Sequence, residues 1–155
     1  SVRDGIDFDT PVRSDTAPLH ELVAEMIATG ADIHVLRDPT RGGLATTLNE
    51  IAEQSQVSIV LDETSVPVHE AVRNGCSFLG MDPLYLANEG KCIAFVPAEE
   101  ADKVLAVMRE NPYGKDACLI GEVTAEAPGQ VGLRTAIGGI RIVDMPLGNL
   151  VPRIC

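Results

Sequence analysis

The chain has 155 residues, 45% of them hydrophobic, which is enough to bury one core and reads most simply as one domain. Its formal net charge of −11 repels phosphate backbones and anionic lipid, so neither nucleic acid nor a membrane surface is expected as a partner. No apolar run approaches the ~20 residues that span a bilayer, no secretory leader pattern is visible, and a start at Ser1 without methionine points to processing or to a piece of a longer protein.

Asp15-Thr16-Ala17-Pro18 reads as a helix start, with a capping side chain ahead of a first-turn proline. Leu19, Leu22, Val23, Met26 and Ile27 then recur at helical spacing, and Gly30 closes the helix. Ile33–Leu36 reads as a short strand running into Arg37-Asp38-Pro39-Thr40-Arg41-Gly42-Gly43. Leu44, Leu48, Ile51 and Ala52 mark the next amphipathic helix, and Val57–Leu61 is a strand rich in β-branched residues. Pro67 is expected to open a further helix through about Cys76. Cys92–Val96 is an apolar strand, and Ala98–Glu110 is a helix with Ala101, Val104, Leu105 and Met108 inward. After Pro112-Tyr113-Gly114, strands are predicted near Leu119–Val123, Gln130–Thr135 and Gly139–Val143. Helices and strands interleave first and a run of strands follows, which predicts an α/β (α+β) fold with a mixed sheet and helices packed on it. Residues 1–143 form the expected single domain and residues 144–155 a flexible tail.

The four cysteines show no C-x-x-C pair or other tight ligand spacing, which argues against a zinc knuckle. Cys76, Cys92 and Cys118 sit among apolar neighbours and are read as buried, reduced thiols, which fits a cytoplasmic protein. Cys155 is different because nothing follows it. Pro146, Gly148 and Pro152 disfavour a regular helix before it. Eleven extended steps reach roughly 36–40 Å, whereas a domain of this size has a radius of gyration of about 15 Å. The sulfur is thus an expected carrier able to cross the domain face, although chance placement of a cysteine at the end is the plain alternative. Arg153 favours thiolate and the terminal carboxylate opposes it, so no strong activation is predicted.

Two internal segments hold the remaining chemistry. Asp38-Pro39-Thr40-Arg41-Gly42-Gly43-Leu44 places a carboxylate, a hydroxyl, a guanidinium and two glycines between a strand and a helix. Such a junction suits an anion, because a helix N-terminus offers free amides and partial positive charge. Asp38 could hold Mg²⁺, which prefers few carboxylates plus phosphate oxygens and water. The Walker A spacing is absent, and a plain turn with Asp38 or Thr40 capping the helix explains the segment equally well. In Ala87-Asn88-Glu89-Gly90-Lys91, Glu89 is a loop carboxylate ahead of a strand, suited to a base or simply to a solvated turn. His20, His34 and His69 show no metal-ligand spacing, and His20 and His69, expected on helices, are read as surface or packing residues.

Together, Asp38–Leu44, Ala87–Lys91 and the ending Pro152-Arg153-Ile154-Cys155 resemble the HypE family of hydrogenase maturation proteins, within the aminoimidazole ribonucleotide synthetase-like ATP-dependent superfamily. The resemblance extends through Pro11-Val12-Arg13-Ser14-Asp15 and covers essentially the whole chain, but only about half of such a protein. The superfamily's N-terminal domain, which supplies most of the ATP site and the homodimer core, is missing. The resemblance implies that Cys155 accepts a carbamoyl group from the carbamoyltransferase HypF and that ATP, with Mg²⁺, drives its dehydration to a thiocyanate. The cyanide is then delivered to iron on a HypC–HypD complex. It also implies that Glu89 is the base, that Asp38, Thr40, Arg41, Gly42 and Gly43 lie near the phosphates, and that Asp38 helps the metal. By itself the fragment is expected to be inactive.

Two other classes share parts of this pattern. A purine- or selenophosphate-type ATP-dependent synthetase would keep the phosphate motif without needing Cys155. A non-catalytic docking module would keep the fold and tail, its acidic surface serving a basic partner.

Overall fold

The computed structural model describes residues 14–146. In chain order it has α1 (His20–Ala28), β1 (Val35–Arg37), α2 (Gly43–Ser55), β2 (Ser58–Asp62), α3 (Glu70–Leu79), a 3-10 turn at Pro83–Tyr85, β3 (Ile93–Phe95), α4 (Ala98–Glu110), β4 (Gly121–Thr124), β5 (Val131–Arg134) and β6 (Ile140–Ile142). The class is the expected mixture of α and β, but the strands divide between two sheets. One is a four-stranded mixed sheet in the order β4-β2-β5-β6, with β2 and β5 parallel and the outer pairs antiparallel. The other is an antiparallel ribbon of β1 and β3.

The larger core forms where α2 lies on the four-stranded sheet. Ala45, Leu48, Ile51 and Ala52 recur at helical spacing and meet Ile59, Leu61, Val131 and Leu133, which alternate along β2 and β5. Leu84 and Val143 close this core. A smaller core joins α1 to α4 through Leu22, Met26 and Val104.

The ribbon lies between the two cores, and its alternation explains why. Val35, Ile93 and Phe95 pack on the larger core, whereas Leu36 and Ala94 pack on the smaller. Successive strand residues face opposite sides, so a short two-stranded ribbon with apolar residues on both faces must be covered twice. This arrangement fixes the direction of everything that leaves the ribbon. Arg37 at the end of β1 pairs with Ile93 at the start of β3. The segment after β1 and the segment before β3 therefore emerge at the same end.

Two helix boundaries differ from the sequence reading. α1 begins at His20 with Leu19 in the N-cap position and no side-chain cap, because leucine has no acceptor and Asp15 lies four residues earlier, where its carboxylate accepts from the Glu89 N–H. α3 begins at Glu70 and not at Pro67. Among the described residues the cysteine reading holds only in part: all three are free and Cys76 is buried, but Cys92 and Cys118 are half-buried and not buried as expected, and burial pushes each thiol up from its ordinary range. His20 and His69 are exposed.

Candidate functional site

The shared end of the ribbon carries both motifs singled out in the sequence. Asp38 follows β1 directly, and residues 87–91 lead into β3. A backbone hydrogen bond joins them, the Asn88 N–H donating to the Pro39 carbonyl at 3.0 Å. Asn88 also donates from Nδ2 to the Leu86 carbonyl at 2.8 Å, which rigidifies its own turn.

Neither Asp38 nor Thr40 caps α2. The N-cap is Gly42 in the left-handed region, φ 72°, with no side-chain cap bond. Instead the Thr40 hydroxyl donates to Asp38 Oδ2 at 2.6 Å. That bond, with Asp38's own backbone N–H and the nearby Arg37 guanidinium, holds the exposed Asp38 carboxyl below its ordinary range against a small opposing effect of burial. α2 starts without a side-chain cap, its Gly42, Gly43 and Ala45 are buried, and the Gly43 N–H donates to the Thr40 carbonyl at 3.5 Å.

The surrounding charges are unequally engaged. Arg37 pairs with Glu50 at 3.0 Å and Lys91 with Asp15 at 3.2 Å. Among the described residues the exposed Arg41 has no such partner. Asp38 Oδ2 is taken by Thr40, and no group of three or more His, Cys, Asp or Glu side chains suited to a metal occurs among the described residues. A single carboxylate fits an ion that completes its shell with phosphate oxygens and water, as Mg²⁺ does.

Glu89 is half-buried, and among the described residues its side chain has no hydrogen bond or ion pair. Its backbone N–H donates to Asp15 Oδ2 at 3.0 Å. This contact was not legible in the sequence, where Asp15 reads as a helix cap and its partner is 74 residues away. Just past β6, Asn49 Nδ2 on α2 donates to the Val143 carbonyl at 2.8 Å and the Tyr85 hydroxyl donates to that of Asp144 at 2.9 Å. Cys155 itself lies outside the described residues. A cleft of about 330 Å³ between α3, the 3-10 turn and β6, lined by Arg73, Cys76, Asp82, Leu133 and Arg141 among others, contains none of the predicted site residues.

Thr40→Val should move the Asp38 carboxyl up toward the ordinary aspartate range, read by carboxyl-carbon NMR titration. A depressed folded pKa contributes stability above the unfolded value, and that contribution is lost as pH falls through the folded one. The variant should therefore lose its Asp38 contribution at higher pH than the parent. An unchanged titration would assign the depression to Arg37 and the backbone instead.

Sequence comparison identifies the class to which this α/β domain belongs. The chain belongs to the family of AIR synthase related protein C-terminal domains, which matches residues 1–134. It is 54% identical over all 155 residues to carbamoyl dehydratase HypE of Cupriavidus necator, of which it covers 44%. It superposes on hydrogenase maturation protein HypE in complex with ATP at a TM-score of 0.90 with 56% identity, covering 100% of this chain and 48% of that one. A HypE–HypF complex matches at 0.87 with 46% identity, over 94% of this chain and 47% of that one. The chain thus spans under half the length of these relatives. The resemblance drawn from the three motifs holds at the level of the family and fold.

Proposed function

We propose that this chain is the tail-bearing part of an ATP-dependent carbamoyl dehydratase that makes cyanide ligands for nickel–iron hydrogenase. The observation that carries the reading is the Asn88–Pro39 backbone bond, which holds the Asp38–Gly43 and Asn88–Lys91 loops together at one ribbon end. A base and a phosphate loop are useful to one reaction only if they share a site. The names of relatives with ATP and with HypF support the same reading.

In this reading the Cys155 sulfur takes a carbamoyl group from HypF and becomes a thiocarbamate, S–C(=O)–NH₂. ATP supplies the phosphoryl group that converts the carbonyl oxygen from a very poor leaving group into phosphate. The Arg41 guanidinium and the α2 amides would face the phosphates, and Asp38 would hold Mg²⁺ against them. Phosphoryl transfer to the carbonyl oxygen leaves ADP and, with loss of the first N–H proton, gives S–C(OPO₃²⁻)=NH. Glu89 takes the remaining proton from nitrogen as the C–O bond breaks, so the electrons of that N–H bond form the third C–N bond. The products are S–C≡N on Cys155 and inorganic phosphate, and the cyanide passes to iron on HypC–HypD. The rest of the intact protein would supply most of the ATP pocket and a homodimer core, and this chain alone would convert no ATP. Residues 1–143 would form one domain, with the tail from 144 visiting donor, ATP site and acceptor in a cytoplasmic setting.

Intact mass spectrometry of the full-length protein tests the reading. Incubation with HypF and its carbamoyl donor should add one carbamoyl group, and conversion by ATP should then give a cyano adduct one water lighter. An unmodified mass, or a carbamoyl adduct indifferent to ATP, would overturn it.

A further inference from the structure

We propose that Asp15 is a positioning residue for Glu89, an inference that rests on Glu89 being the base. The segment at 14–17 does not simply lead into α1. It crosses the turn that bears Glu89 at backbone contact. Gly90 has φ +58°, and a Cβ built on it would fall 2.0 Å from the Asp15 carbonyl oxygen and 2.6 Å from the Ala17 nitrogen. Only a glycine lets the two backbones lie so close.

Asp15 Oδ2 then accepts from both sides of Gly90: from the Glu89 N–H at 3.0 Å and from Lys91 Nζ at 3.2 Å. Both bonds use the same carboxylate oxygen, so one acceptor ties the backbone before Gly90 to the side chain after it. The ion pair is half-exposed, with side-chain exposures of 50% for Lys91 and 39% for Asp15, so it adds little stability. Its consequence is geometric. With Glu89's N–H held by Asp15 and Asn88's N–H held by Pro39, successive peptide units of the turn are pinned, one to each neighbouring segment. That fixes the peptide planes on which the Glu89 side chain is mounted, next to the loop after β1.

The test compares Asp15→Ala with Asp15→Asn in the full-length protein, started from the carbamoylated form. Asp15→Asn keeps an oxygen that can accept from the Glu89 N–H and removes only the charge opposite Lys91. Asp15→Ala removes both. Since misplacing a catalytic group by about 1 Å costs roughly 10²-fold, Asp15→Ala should slow thiocyanate formation by about that factor at saturating ATP, with KM for ATP and carbamoyl loading little changed. Asp15→Asn should recover most of the rate. A wild-type rate in Asp15→Ala, or equal loss in both variants, would overturn the proposal. A second readout is independent of catalysis: the Glu89 amide should exchange its hydrogen faster in Asp15→Ala than in the parent. Unchanged protection also overturns the proposal, whatever the kinetics. A fully active Glu89→Gln protein would instead remove the base assignment, leaving the amide measurement to decide whether Asp15 holds the turn.

Discussion

Gly43→Ala is expected to destabilise the fold by about 2–5 kcal/mol, combining a left-handed backbone penalty with overpacking. Gly43 has φ +64°, and a Cβ there would lie 2.3 Å from the Leu86 carbonyl oxygen and 2.5 Å from that of Leu84. Both atoms are backbone, so no side-chain rotation relieves the clash. Leu84 belongs to the larger core, and the chain from Leu86 leads directly to Asn88 and Glu89. Lifting the turn away from α2 would therefore loosen the core and part the two motifs together. Gly30→Ala is the control, since Gly30 has φ +71° with nothing within 4 Å of an added Cβ. It should cost only the backbone term, about 1–2 kcal/mol. Urea unfolding of both variants measures the difference as a shift in midpoint at constant slope. Equal losses would mean that the Leu84–Leu86 carbonyls give way freely.

What was legible in the sequence follows the range of the forces involved. α4 occupies the expected Ala98–Glu110, because its apolar positions and its start after Pro97 are local signals. The Val57–Leu61 and Gln130–Thr135 predictions match β2 and β5 for the same reason. The 3-10 turn also carries a local signal: Asp82 precedes Pro83 and accepts from the Leu84 N–H at 2.9 Å. The division into two sheets had none. Whether β1 pairs with β3 or joins the larger sheet depends on which cores cover its two faces, and Val35 and Leu36 look equally apolar along the chain. The site divides the same way. Residue types marked Asp38–Gly43 and Glu89 as chemistry, but their meeting depends on the antiparallel register of β1 and β3. Asp15 lies in a segment whose residue types mark a helix start, yet its carboxylate accepts from Glu89 and Lys91.

Glu89→Gln in the full-length protein should carry a carbamoyl group normally and then stall, with thiocyanate formation slowed on the order of 10²–10⁴-fold by loss of the proton acceptor. Glutamine keeps the length and shape of the side chain, and the bonds that hold its turn come from backbone N–H groups of residues 88 and 89, which the substitution leaves intact. Folding and loading should thus survive while the proton has nowhere to go. Cys155→Ala should fail one step earlier: without the sulfur there is no thiocarbamate, so turnover is abolished and no adduct forms at all. Read by intact mass, the two variants separate the carrier from the base. The first accumulates a carbamoyl adduct that ATP converts only slowly, and the second stays unmodified throughout. A related synthetase that does not use the tail would be indifferent to Cys155→Ala, and a docking module would convert nothing in either form or in the parent. Thiocyanate formed at the parental rate by Glu89→Gln would move the proton transfer to another group, despite the half-buried carboxylate at the joined end of the ribbon.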